Sequence, residues 1–129
     1  MKNRFLDALA ERVLLCDGGM GTVLYSKGVY LNTCFDELNL TNPAIVKEVH
    51  REYVKCGADI VETNTFGANH LKLRKYGLND KVGDICREGA RIAKEEAGEA
   101  IFVAGSIGPL GGRIRRRFDR AHERCQRPQ

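Results

Sequence analysis

The chain has 129 residues, 43% of them hydrophobic and 29% charged, a composition suited to one globular core. No run approaches the roughly 18 apolar residues of a membrane span, and the opening MKNRFLDALAERVLL lacks the apolar centre and cleavage site of a secretory signal, so a cytoplasmic chain with no membrane partner is expected. The net charge of +4 is unevenly spread: residues 111–129 carry seven arginines against two acids, a local +5, and residues 1–110 carry −1.

The first predicted element is a short strand over residues 12–16, where Val13, Leu14 and Leu15 form the continuous apolar run of a strand buried on both faces. It stops at Asp17-Gly18-Gly19, and a helical turn is expected from Met20 to Ser26. TNPAIVKEVHREYVKCG then predicts a helix in which Asn42 is placed to cap, Pro43 occupies the first turn and Gly57 closes the end. Ile45, Val46, Val49 and Tyr53 share its apolar face, and His50 beside them reads as a surface histidine.

ADIVETNTFG predicts the second strand, NHLKLRKYG a short helix with His70 on its surface, and NDKVGDICREGARIAKEEAG a longer helix stopped by Gly98. Val82, Ile85, Cys86, Ala90 and Ala93 form the expected buried stripe of that helix. IFVAGSIGPLG predicts the third strand. The alternation of strand and helix argues parallel βαβ units, in which the polar, glycine-rich strand ends gather on one ligand-binding face. DGGMGT, ETNTFG and GSIGPLG should therefore surround one mouth.

Glycines after a buried strand let backbone N–H groups approach an anion, and Asp17 beside them favours an ammonium. A molecule carrying both charges, an α-amino acid, satisfies the corner; a tight turn with Asp17 capping the next helix satisfies the same residues. GGMG is neither the G-x-G-x-x-G dinucleotide fingerprint nor a phosphate loop, having no Lys-Ser/Thr pair. Glu62, Thr63, Asn64 and Thr65 cluster four polar side chains at the second strand's end, where they bond one another, the floor or a ligand.

The five cysteines, at 16, 34, 56, 86 and 125, are odd in number and include no C-x-x-C pair, so neither a disulfide framework nor a zinc knuckle is predicted. Most read as small buried hydrophobes, with Cys16 set apart by its neighbour Asp17.

LLCDGGMGTVLYSKGV, CFDELNLTNPAIVKEVHREYVKCGADIVETNTFGAN and VAGSIGPLG, in that order, resemble the homocysteine S-methyltransferase family over residues 5 to about 111. The resemblance implies an α/β fold of the (β/α)8 TIM type, of which about three βα units stand in residues 1–111. It implies a reaction that moves a methyl group to the homocysteine thiol, giving methionine, with zinc lowering the thiol's pKa. Carried over, Asp17 faces the substrate amine, the Gly18 and Gly19 amides face its carboxylate, and Glu62, Asn64 and Thr65 line the floor. The family's zinc ligands, three cysteines in G-x-N-C and Gly-Gly-Cys-Cys contexts, have no counterpart here, so no metal ligand and no complete catalytic site is assigned. The methyl donor, whether folate through cobalamin, betaine or S-methylmethionine, stays open.

Residues 112–129 are arginine-rich and carry no family motif, as though the reading frame or gene breaks near Gly111. Leu110, Ile114, Phe118 and Ala121 nevertheless keep the spacing of a basic amphipathic helix. Nucleic acid is not the expected partner. The alternative to a truncated methyltransferase is a non-catalytic binding or assembly module, either a half-barrel completed by another chain or a basic-tailed module that meets nucleic acid; self-association through the exposed barrel edges is expected of the fragment.

Overall fold

The computed structural model describes residues 3–111 of the chain. The domain division at residue 111 and the predicted arginine-rich helix lie at or beyond that limit. Helix α1 (Arg4–Glu11) is followed by α2 (Met20–Ser26), α3 (Leu38–Thr41), α4 (Pro43–Lys55), strand β1 (Ile60–Glu62), α5 (His70–Arg74), α6 (Val82–Ala97) and strand β2 (Phe102–Ala104).

β1 and β2 pair in parallel, Ile60 with Phe102, Val61 with Val103 and Glu62 with Ala104. The predicted first strand contributes one parallel bridge, Cys16 to Ile60. It is held there by Asp17 N–H donating to the Ile60 carbonyl at 2.9 Å and by Asp59, which accepts from Leu15 N–H at 2.9 Å and pairs with Arg12 at 2.7 Å. The Arg12 hydrogen bond, aided by that N–H, holds the Asp59 carboxyl down at about 2. The strand is not buried on both faces: Val13 is 91% and Leu15 57% exposed, because no described element packs over them.

Helices α4 and α6 cover one face of the sheet. Val61 is fully buried beneath Ala93 and Ala97, and Val46, Val49, Leu24 and Ile92 join in a second cluster. Lys47 with Glu95 and Arg51 with Glu96 bridge the two helices at 2.6 and 2.9 Å. The α6 stripe is Ile85, Gly89, Ile92, Ala93 and Ala97; Ala90, expected inside, is exposed, and Val82 and Cys86 are half-buried. The stripe is rotated because Gly89 must admit Asn39 and Thr65 to within 2.7 Å of where a Cβ would stand.

Three further expectations are corrected. Asn42 occupies the cap position of α4 but its side chain caps nothing, whereas Asn69 caps α5 through the N–H groups of Leu71 and Lys72. Of the described cysteines only Cys34 is buried; Cys16 and Cys56 are exposed. His50 is not on the surface: it is 0% exposed, and neither ring nitrogen has a hydrogen-bond partner among the described residues. The register of α4 carries it past the polar face into contact with the core.

Gly57 and Gly98 end α4 and α6 at φ +94° and +61°, as their placement predicted. Among the described residues no helix is long and apolar enough to cross a membrane.

Burial pushes the His50 imidazole below its ordinary pKa, against the opposing pull of Glu96 from α6. An unfolded-chain histidine takes up a proton near about pH 6.5, so below that pH the unfolded state binds more protons and stability falls. Chemical denaturation should show a midpoint that drops between about pH 8 and pH 5, and H50L should flatten that slope; an unchanged slope in H50L refutes the assignment. The exposed Val13 and Leu15 and the open strand edges predict concentration-dependent association of the chain, which sedimentation velocity would contradict by showing a monomer at every concentration.

Candidate functional site

The glycine corner, the end of β1 and the loop after β2 meet around a cavity of about 370 Å³. Asp17 to Gly21 form one wall, Glu62, Thr63, Asn64, Phe66 and Gly67 a second, Ser106 a third, and Phe35 with Asp36 close the side. Three carboxylates, Asp17, Asp36 and Glu62, line it, and among the described residues no basic side chain does.

Asp17 is the hinge of the corner. Its Oδ2 accepts from Glu62 N–H at 3.0 Å, and its Oδ1 accepts from the Cys16 thiol at 3.7 Å. Partial burial raises its carboxyl above the ordinary range, the Glu62 N–H pulls it back, and the neighbouring Glu62 charge raises it further. An opposite charge placed between Asp17 and Glu62 would offset the cost of burying the Asp17 carboxylate and screen its repulsion by Glu62.

The glycines serve close packing. A Cβ on Gly18 would stand 2.8 Å from the Tyr53 hydroxyl, and one on Gly21 3.2 Å from Phe35. Tyr53 donates to the Gly19 carbonyl at 3.3 Å, so α4 props the corner from behind. The N–H groups of Gly18 and Gly19 meet no backbone acceptor among the described residues, and both glycines line the cavity. Asp17 does not cap α2, whose cap position is Gly19 with no side-chain bond.

The remaining predicted residues have divided roles. Asn64 borders the cavity, but its amide is engaged: Nδ2 donates to the Phe35 carbonyl at 2.8 Å and to Asn39 Oδ1 at 3.1 Å. Thr65 lies outside this cavity and donates to the Ser106 carbonyl at 2.8 Å. Glu62 reaches the mouth, where its Oε2 accepts from Ser106 Oγ at 3.0 Å. His70 is exposed at the start of α5.

Sequence reasoning missed Asp36, which holds the β1 loop by accepting from Gly67 N–H at 2.8 Å, and Asn39, which is buried and donates to the Asn64 and Ile85 carbonyls at 2.8 and 3.1 Å. Burial raises the Asp36 carboxyl, and the Gly67 N–H partly offsets it. Both residues sit in the quoted CFDELNL motif, whose polar residues at an otherwise apolar helix entry were the available signal.

Residues 14–124 match the family model for homocysteine S-methyltransferase. The chain belongs to the homocysteine S-methyltransferase family. The match runs past Gly111 into the arginine-rich segment. Methionine synthase of Mycobacterium leprae (strain TN) is 40% identical over 116 residues, and that of Mycobacterium tuberculosis (strain ATCC 25618 / H37Rv) 39%; each alignment covers 81% of this chain. The chain spans 10% of the length of these relatives. Among solved structures, the homocysteine methyltransferase MmuM from Escherichia coli superposes with a TM-score of 0.72 in both its metallated and its oxidized form. The identities are 24% and 28%, over 84% of this chain and 42% of MmuM.

The described residues do not fit the family's zinc. Cys34 and Cys86 lie away from the cavity wall and Cys56 ends α4, so no set of three thiols converges. Cys16 stands with Asp17 and Glu62, their ligand atoms within 4.8 Å of one another, but burial and those two carboxylates raise its thiol, which disfavours the thiolate that zinc requires.

Packing of Tyr53 on Gly18 predicts that G18A costs about 1–3 kcal/mol of stability, and that Y53F in the same chain recovers part of the loss. Equal denaturation midpoints for wild type and G18A would show that the close approach is not a constraint.

Proposed function

We propose that this chain forms the amino-acid-binding part of a homocysteine S-methyltransferase, the enzyme class that transfers a methyl group to the homocysteine thiol to yield methionine. The observation that supports the reading is the cavity itself: the carboxylates of Asp17 and Glu62 and two glycines whose N–H groups meet no backbone acceptor among the described residues line the same space, within the stretch that matches the family. Asp17 takes the ammonium, and the Gly18 and Gly19 N–H groups take the carboxylate, so the α-carbon is fixed and the thiol is directed away from the corner. Glu62 reinforces the ammonium site, while Asn64 and Thr65 shape the floor from behind. The partial TIM-type barrel supplies this wall by bringing successive strand ends to one face.

Residues 3–111 supply recognition without the thiolate set for zinc, so the 129-residue chain binds substrate and does not turn it over. Isothermal titration of the purified chain should detect L-homocysteine, with D17N weakening binding about tenfold or more. Zinc-supplemented chain given each family methyl donor should form no methionine. Absence of homocysteine binding, or D17N affinity equal to wild type, would overturn the binding reading; methionine formation would overturn the division between binding and catalysis.

A further inference from the structure

Ser106 is held in place by a closed ring of hydrogen bonds that the binding reading leaves unused. Its N–H donates to Thr63 Oγ1 at 3.0 Å, and its carbonyl accepts from Thr65 Oγ1 at 2.8 Å. The two threonine hydroxyls lie 2.7 Å apart. Thr65 spends its only proton on the Ser106 carbonyl, so between the hydroxyls Thr63 is the donor. Thr63 is 6% exposed, and its own N–H donates to the Ala104 carbonyl at 2.9 Å, which locks the ring onto β2.

Both main-chain groups of Ser106 are thereby committed, and its side chain keeps only rotation about χ1. In the observed rotamer Oγ donates to Glu62 Oε2 at 3.0 Å. Glu62 is anchored at its other end by its N–H bond to Asp17. Its carboxylate, on a long and otherwise exposed side chain, is thus held beside Asp17 on the cavity wall, within 4.8 Å at the nearest ligand atoms. Two carboxylates held this close, in a cavity that no basic side chain lines among the described residues, form a seat for a monocation.

Resting on the proposed amino-acid site, we propose that Ser106 is a positioning residue which orients Glu62 as the second carboxylate of an ammonium clamp with Asp17. Ser106 touches the ligand only through Glu62. The clamp selects amines, and the ring of Thr63, Thr65 and Ser106 maintains it without contributing to the carboxylate end.

The test is isothermal titration of the full chain with three probes: L-homocysteine, its decarboxylated analogue 3-aminopropane-1-thiol, and its deaminated analogue 4-sulfanylbutanoate. S106A should weaken L-homocysteine and the amine about tenfold or more, the effect of one hydrogen bond to a charged group, and leave the deaminated acid unchanged. S106T, which restores a hydroxyl, should recover affinity. Amide exchange at residue 106 should stay protected in S106A, because the ring uses its main chain alone. If wild type binds L-homocysteine but S106A leaves it unaltered, or weakens the deaminated acid equally, the inference fails and the binding reading stands. If wild type binds neither L-homocysteine nor the amine, the binding reading falls and the clamp falls with it.

Discussion

Asn39 and Asn64 lie side by side with 1% and 7% of their surface exposed, and their two amides tie together three pieces of chain that share no secondary structure. Asn64 donates to Asn39 and to the Phe35 carbonyl, while Asn39 donates back to the Asn64 main chain and across to Ile85 of α6. Each amide removed from water must find its partners within the protein, since an unmet buried polar group costs about 1–3 kcal/mol. The loop that follows β1 is therefore fixed against α3 and α6 before any ligand arrives. Glu62, Thr63 and Gly67 take their positions from that anchorage, and Gly89 is small because Asn39 needs the space.

On this frame the cavity is an imbalance of charge. Asp17, Asp36 and Glu62 contribute three carboxylates, and among the described residues no lysine, arginine or histidine answers them from the wall. Asp36 is satisfied by Gly67 N–H, and Asp17 in part by Glu62 N–H, but each has lost water to burial. The N–H groups of the wall thus satisfy its carboxylates only in part. Cys16, although close by, is an unsuitable metal ligand: burial, and then the neighbouring Asp17 and Glu62 carboxylates, oppose formation of a thiolate.

Much of this was legible in the sequence. Short apolar runs ending in DGGMGT, ETNTFG and GSIGPLG announced strand ends that would meet, and they do meet around one cavity. The α2, α4 and α6 spans and the glycine stops at 57 and 98 were equally plain, because apolar periodicity and left-handed glycine termini are local properties. His50 and Ala90 were misplaced, since a helical wheel shows the width of an apolar face but not which neighbour will cover its margin. Val13 and Leu15 were expected inside on the strength of hydrophobicity alone, yet burial needs a partner surface, and the described residues bring none to them.

The sequence by itself determined the family, the strand-helix order and the identity of the corner, because each is written in contiguous motifs of glycine, acid and apolar residues. Only the tertiary structure decided which polar groups bind one another and which remain free. Asn64 meets Asn39 across 25 positions and Ser106 meets Glu62 across 44, distances over which no local pattern constrains pairing. Thr65, grouped with Glu62 by adjacency, points instead into a hydroxyl ring because successive residues at a strand end face opposite sides. Spacing brings the right residues to the mouth, and the competition among them for hydrogen-bond partners determines which are left to hold a ligand.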